Sequence, residues 1–382
     1  MRVLIAGGGT GGHLFPGIAL AEEVTTRHHK NDVVFVGTDR GLEARVVPAA
    51  GFQLETIPVY GLKGMGFLKL VKALWALPMA FLASWKILKK YRPDVVVGVG
   101  GYSSGPVVLA ARMQGIPTAV QEQNALPGFT NKVLGRFVKV VFITFDEARP
   151  FFPAEKTQLL GNPIRRKLMD NYLRSRVKQD RFTVLVFGGS LGARGLNSRV
   201  VEALGHLGDL KDQIHFIHQT GKNDLELVRK GYEEKGFSSE VSEFIDDMSA
   251  AYARADLVVC RSGATTLAEL TVCKKASILV PFPFATDNHQ EVNARALVAN
   301  GAAVMFRERE LTGEKLAAEL RALKGDPDRL KRMEKQAALL GRPEAAKELA
   351  DVCVQLMVDA WGAEGRERPD GKIEVKKKAE GS

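Results

Sequence analysis

Apolar residues in this chain come in short continuous runs, with helical stretches between them, and not in strict alternation with polar ones. The runs Val33 to Val36, Val95 to Val99, Thr118 to Val120, Val140 to Ile143, Ile214 to Ile217, Leu257 to Cys260 and Ser277 to Val280 are rich in Val, Ile and Leu. Such runs suit strands covered by helices on both faces, as in a parallel α/β sheet. Two further strands, Met1 to Ala6 and Phe182 to Phe187, each run into a glycine-rich turn, Gly7 to His13 (GGGTGGH) and Gly188 to Gly195 (GGSLGARG), and each turn opens a helix. Unpaired amides and the positive end of the helix dipole then face whatever anion arrives. Two such turns about 180 residues apart predict two nucleotide-type α/β domains. A hinge is expected near Leu160-Gly-Asn-Pro163, a last helix from about Gly341 to Trp361, and a disordered tail from Gly362 onward, where little remains to bury. The expected division is therefore residues 1–162 plus 342–361, residues 163–341, and the tail 362–382.

A chain of 382 residues with 45% hydrophobic and 26% charged positions is long enough for two ordinary soluble domains. Its three cysteines, Cys260, Cys273 and Cys353, lack metal-ligand spacing and fit a reducing compartment, and the first residues carry no export-signal pattern. The net charge of +10 is concentrated: between Tyr60 and Val140 eleven basic residues face two acids, which leaves +1 for the rest. Such a face expects an anionic partner.

The most apolar stretch, Phe67 to Tyr91, lies inside that basic region. The 13 uncharged residues between Lys72 and Lys86 fall short of the roughly 20 that span a bilayer. At helical spacing Leu70, Leu74, Leu77, Phe81 and Leu88 would form a core face. Phe67, Val71, Trp75, Met79, Leu82 and Trp85 would form a second. An apolar face bearing two tryptophans and flanked by Lys72, Lys86 and Lys89 predicts contact with an anionic membrane surface, the alternative being burial on both sides or against a partner subunit.

A third glycine turn, Gly98 to Pro106, supplies a second anion seat in the first half. Gly9 with Gly101, Tyr102, Ser103, Ser104 and Gly105 would suit a pyrophosphate. His13, at the lip of the first turn, is a candidate base, and a helix-capping histidine is its plain alternative. The acid that a dinucleotide fold wants after its glycines arrives late, at Asp39. In the second half Ser262-Gly263 begins a helix whose Glu269 could accept hydrogen bonds from a ribose diol, and the loop Pro281 to Gln290 could read sugar hydroxyls. Arg165 is either a diphosphate contact or a surface arginine. Asp326-Pro-Asp328 reads as a helix cap, so no metal site is expected.

In order, GGGTGGH, GGYSSGP, EQN, GNPIR, GGSLGARGLN, FIDDM and CRSGATTLAE resemble the bacterial glycosyltransferases that add N-acetylglucosamine to lipid I to form lipid II. The resemblance runs from Arg2 to about Trp361 and implies a GT-B fold, two Rossmann-like domains facing a cleft, with the final helix returning to the first domain. It implies UDP-N-acetylglucosamine as donor, undecaprenyl-pyrophosphoryl-MurNAc-pentapeptide as acceptor and the cytoplasmic face of the plasma membrane as the place of work, with no cofactor and no nucleic acid. It places Thr10, Gly11, Gly12 and Asn124 near the donor sugar and acceptor. Arg165 and Ser190 fall at the diphosphate, the Ile245 backbone at the uracil, Ala264, Thr265, Thr266, Leu267 and Ala268 at the nucleotide, Glu269 at the ribose and Gln290 at the sugar. Where family members often carry Gln-Gln, this chain has His289-Gln290. The implied reaction inverts the anomeric carbon, with His13 the first candidate base and Glu122 the second, and with helix ends and cations compensating the departing diphosphate. An NAD-linked oxidoreductase, a nucleic-acid-binding protein and a UDP-N-acetylglucosamine 2-epimerase are the competing readings.

Overall fold

The structure is a computed structural model describing residues 1–59, 67–174, 180–189 and 192–366, and only the backbone within 67–76. The chain closes into two compact units, the first made of Met1–Gln121, Phe129–Val141 and the segment from Lys347, the second of Glu122–Gly128 and Phe142–Ala346.

The first sheet is built from β1 (Arg2–Gly7), β2 (Asp32–Gly37), β3 (Gln53–Thr56), β4 (Val95–Gly100), β5 (Thr118–Glu122), β6 (Val140–Ile143) and β7 (Thr157–Leu159), in the order β3-β2-β1-β4-β5-β6-β7. Its helices are α1 (Gly11–Arg27), α2 (Glu43–Ala49), α3 (Phe67–Tyr91), α4 (Ser104–Met113) and α5 (Phe129–Leu134). The order reverses at β1/β4, the switch point where such sheets bind ligands beyond their carboxyl ends, and the glycine turns after both strands sit there. The predicted strands form because their Val, Ile and Leu side chains have helices on both faces: Val3, Leu4, Ile5, Val34 and Val95 to Val97 are all buried. The short strands β3 and β7, with polar residues such as Gln53 and Gln158, carry no apolar run.

The second sheet, β10-β9-β8-β11-β12-β13, comprises β8 (Phe182–Phe187), β9 (Ile214–Gln219), β10 (Ser238–Ser242), β11 (Leu257–Cys260), β12 (Ser277–Leu279) and β13 (Ala303–Met305). It is covered by α6 (Arg166–Arg174), α7 (Arg194–Leu204), α8 (Leu225–Lys235), α9 (Met248–Arg254), α10 (Ala264–Val272), α11 (His289–Ala299), α12 (Gly313–Gly325) and α13 (Pro327–Leu340). Alternation along β8 feeds two cores, Val184 and Val186 packing with Leu196, Val200 and Leu316, Leu185 and Phe187 with Tyr252, Leu267 and Leu297. Each such buried aliphatic side chain contributes about 1.5–3 kcal/mol. Asp326 caps α13, its carboxylate accepting from Arg329 N–H at 2.8 Å.

The last helix, α14 (Ala345–Trp361), packs on the first unit from Lys347 onward. Arg27 of α1 reaches Asp351 at 2.6 Å and the Lys347 carbonyl at 2.7 Å, and Trp361 donates its indole N–H to the Asp94 carbonyl at 3.0 Å. Beyond it, the Arg366 N–H meets the Asp94 carboxylate at 2.6 Å. The remainder of the charged tail, residues 367–382, lies outside the described residues.

One helix face differs from its sequence expectation. In α3, Leu77 is exposed instead of in the core, and Ala80, Ser84, Ile87, Leu88 and Tyr91 form the buried side. The apolar pattern of α3 exceeds what one face can bury, so periodicity alone could not assign Leu77. Leu77, Met79 and Leu82 are exposed, while Trp85 is half-buried beside Phe81, ring centroids 5.9 Å apart. The side chains of Lys72 and Trp75 lie outside the described residues. Among the described residues no helix is long and apolar enough to cross a membrane.

Candidate functional site

The first unit brings two of its glycine turns together. Gly7 pairs with Gly100 where the β1–β4 register shifts, and Gly101, at φ +82°, lies so close that a Cβ there would stand 2.6 Å from the Gly8 carbonyl oxygen. Gly100, at φ +97°, lets the His13 imidazole lie against it, because a Cβ would come within 2.9 Å of the ring. His13 occupies the first turn of α1, where its own amide and that of Leu14 donate to the Thr10 carbonyl at 3.2 and 3.1 Å. Thr10 provides no side-chain cap, so the preceding amides keep their character as anion donors. The His13 Nδ1 stands 3.3 Å from the Gly8 carbonyl and 3.3 Å from the Thr10 hydroxyl. At the second turn Ser103 and Ser104 are buried at the start of α4, and Tyr102 is exposed.

A residue that the motif reading passed over holds the first turn from behind. Glu43, the first residue of α2, is 1% exposed. Its carboxylate accepts the Gly9 N–H at 2.8 Å, the Thr38 N–H at 3.0 Å and the Thr38 hydroxyl at 2.7 Å. A Cβ on Gly8, Gly37 or Gly41 would collide with that side chain, so the three glycines leave the space it fills. Burial by itself raises this carboxyl, but the hydrogen bonds from Gly9 and Thr38 outweigh it and hold the group below the usual carboxylate range. The Gly9 amide, expected at a pyrophosphate, is thus engaged with Glu43.

In the second unit Glu122 is also buried, its carboxylate accepting from Asn124 N–H at 2.9 Å and Gly128 N–H at 3.1 Å. It folds the turn that presents Asn124. The Asn124 side-chain oxygen takes a bond from Asn293 at 3.1 Å, and Asn293 in turn accepts the Ala125 N–H at 2.8 Å. Asn293, fully buried in α11, lies three residues after Gln290 and had no motif to announce it.

Of the predicted nucleotide residues, Ala264 to Glu269 lie in α10, and Gln290 is bonded to Ser262 just before that helix. Gly263 precedes the helix without a side-chain cap, the Ser262 hydroxyl donates to the Gln290 carbonyl at 2.8 Å, and the Gln290 side-chain oxygen accepts the Phe282 N–H at 3.0 Å. Glu269 accepts the Tyr252 hydroxyl at 3.0 Å. Burial pushes its carboxyl up to about 7, against the opposing effects of that hydroxyl and of the positive charge of exposed Arg165. Of the Ile245 backbone, expected at a uracil, the N–H is donated to Gln219 Oε1 at 2.9 Å, which leaves its carbonyl for a base, while Gln219 Nε2 donates to the Gly189 carbonyl at 2.8 Å. Gln219 therefore ties the second glycine turn to the Ile245 loop. Ser190 lies outside the described residues. Arg261 pairs with Glu308, whose carboxylate packs on Gly195 at the foot of α7.

Two parallel α/β sheets with glycine turns at the carboxyl ends of their strands have the architecture of the GT-B fold. The chain belongs to glycosyltransferase family 28: the N-terminal domain of that family matches residues 3–143 and its C-terminal domain residues 183–349. A Myxococcus xanthus protein named UDP-N-acetylglucosamine--N-acetylmuramyl-(pentapeptide) pyrophosphoryl-undecaprenol N-acetylglucosamine transferase is 75% identical over 379 residues, covering 99% of this chain and 98% of its own. A relative of the same name from Anaeromyxobacter sp. is 65% identical over 370 residues, 97% of each chain. The crystal structure of Acinetobacter baumannii MurG covers 93% of this chain and 99% of its own at 31% identity, with a TM-score of 0.77. A UDP-GlcNAc 2-epimerase from Neisseria meningitidis shares the fold at 13% identity and a TM-score of 0.67, over 93% of this chain and 100% of its own.

Proposed function

We propose that this enzyme transfers N-acetylglucosamine from UDP-N-acetylglucosamine to the 4-hydroxyl of the MurNAc of lipid I, giving lipid II for peptidoglycan. The observation that carries this reading is near-full-length identity of 75% to a relative named for that transfer. Residues 163–341 act as the donor domain, and residues 1–162 with 342–361 as the acceptor domain. Glu269 accepts the ribose hydroxyls, the open start of α10 from Ala264 to Ala268 faces the nucleotide, and Arg165 and Ser190 serve the diphosphate. With its oxygen engaged by Phe282, Gln290 offers its NH2 to a sugar hydroxyl, and the Ile245 backbone meets the uracil. Thr10, Gly11, Gly12 and Asn124 line the reacting sugar, and the turn from Gly101 to Gly105 takes the acceptor pyrophosphate.

Inversion needs a base at the acceptor hydroxyl and stabilisation of the departing UDP. The reading assigns the base to His13, since the Glu122 carboxylate is engaged in folding its own turn. The enzyme works as a peripheral protein on the cytoplasmic leaflet, held by anionic lipid through Trp75, Met79, Leu82 and Trp85 with Lys72, Lys86 and Lys89. Exposure of Met79 and Leu82 beside lysines, at about 1 kcal/mol per cation near an acidic surface, supports this. Incubation with labelled UDP-N-acetylglucosamine and a short-chain lipid I analogue is expected to yield the disaccharide product. Free N-acetylmannosamine or UDP-N-acetylmannosamine in its place would instead support an epimerase.

A further inference from the structure

The Gly8–Gly9 peptide joins two side chains that lie far apart in the sequence. Its N–H is donated to Glu43 Oε2 at 2.8 Å, and its carbonyl lies 3.3 Å from His13 Nδ1. A carbonyl can only accept, so the Gly8 contact favours the proton on Nδ1, with the lone pair of a neutral imidazole on Nε2, over the tautomer in which the Thr10 hydroxyl, also 3.3 Å away, donates to Nδ1. An anion bonded to the N–H side of an amide pushes electron density toward its oxygen and strengthens what that oxygen accepts.

We propose that Glu43 is a positioning residue for the transfer reaction, fixing the tautomer and orientation of His13 through the Gly8–Gly9 peptide. The proposal rests on the reading of His13 as base. Three features make the device specific. The carboxylate is buried and receives three hydrogen bonds, so it has one orientation. Gly8, Gly37 and Gly41 all lack the Cβ that would displace it. Gly100 lacks the Cβ that would stand 2.9 Å from the imidazole, so the ring can rest against the β4 end, a second surface that limits its position. The arrangement has the logic of a carboxylate orienting a catalytic histidine, with one peptide group interposed between them. It also explains why a turn suited to anions keeps a carboxylate behind it. Within the turn the Glu43 charge is spent on one amide, that of Gly9, and no side chain of Thr10 caps the start of α1.

A double-mutant cycle tests this, using the full chain with a short-chain lipid I analogue and UDP-N-acetylglucosamine. Glu43→Gln keeps the shape and removes the charge. It is expected to lower kcat about 10-fold with donor KM within about twofold of the parent, as for an interaction made through a base and not through donor binding. In a His13→Ala background the same change should cost nothing further, because its route of action is gone. An equal loss in both backgrounds, or no loss in either, overturns the proposal while leaving His13 as base. Turnover of His13→Ala at the parent rate removes the base reading itself, and the proposal with it. Should Glu43→Gln fail to fold, Thr38→Val retains the carboxylate and frees it from one anchor, so a smaller kcat loss that again vanishes with His13→Ala carries the same meaning. A Thr38→Val loss that persists in that background overturns it.

Discussion

Glu269 shows how one side chain's environment sets a property the sequence does not carry. Its carboxyl, raised by burial to about 7, is partly protonated at neutral pH, whereas a ribose diol donates best to the ionised form. UDP affinity is therefore expected to rise with pH between about 6 and 8 and then level, with proton release on binding near neutrality. Titration calorimetry in buffers of different ionisation enthalpy measures this, and binding with no proton release at pH 7 would contradict it. The sign for stability runs the other way. With the folded pKa above the unfolded one, the group's protonated form favours folding, and that contribution is lost as pH rises toward 7. The three thiols follow the same physics, since Cys260, Cys273 and Cys353 are buried and raised by that burial. None should react with a thiol reagent in the native protein, and all three should react after unfolding, as an absorbance assay would show.

Among the elements, α3 is the one whose surface is unlike a soluble helix. It packs on α4, which packs on α5, and alongside exposed Leu77, Met79 and Leu82 the α5 region exposes Phe129, Val133 and Phe137. Apolar groups interspersed with Lys86, Lys89, Lys132 and Arg136 are suited to lie at a headgroup layer. Changing Met79 and Leu82 together to Ser removes exposed side chains and leaves the buried face of α3 intact. It is expected to weaken sedimentation with anionic liposomes several-fold while leaving the melting temperature within a few degrees. Equal sedimentation of parent and variant counts against a lipid role for this face.

At the scale of the whole molecule, β1 to β4 belong to the first unit and β8 to β13 to the second, each set with its own buried residues. A ligand held by the second unit should therefore protect that unit first. At 100 times its Kd, UDP contributes about 2.7 kcal/mol of stabilisation. Hydrogen exchange is expected to slow in β8 to β13 more than in β1 to β4, and equal slowing of both sheets would argue against a donor site confined to the second unit.

The sequence by itself determined the parallel sheets and the glycine turns at their strand ends, and it singled out His13 and the start of α10 as candidates. Continuous Val/Ile/Leu runs and glycines at strand ends are local signals, and local signals survive in one dimension. It did not disclose that Glu43 sits behind Gly8 and Gly9, that Gln219 ties Gly189 to Ile245, or that Asn293 holds the Asn124 turn. A buried carboxylate or amide looks like any surface polar residue until folding brings its partners within hydrogen-bond reach, and those partners lie 34, 26 and 169 residues away. Leu77 fell on the wrong face of α3 for a related reason: a helix apolar all round leaves the choice of buried side to whatever packs against it, and only the tertiary structure makes that choice.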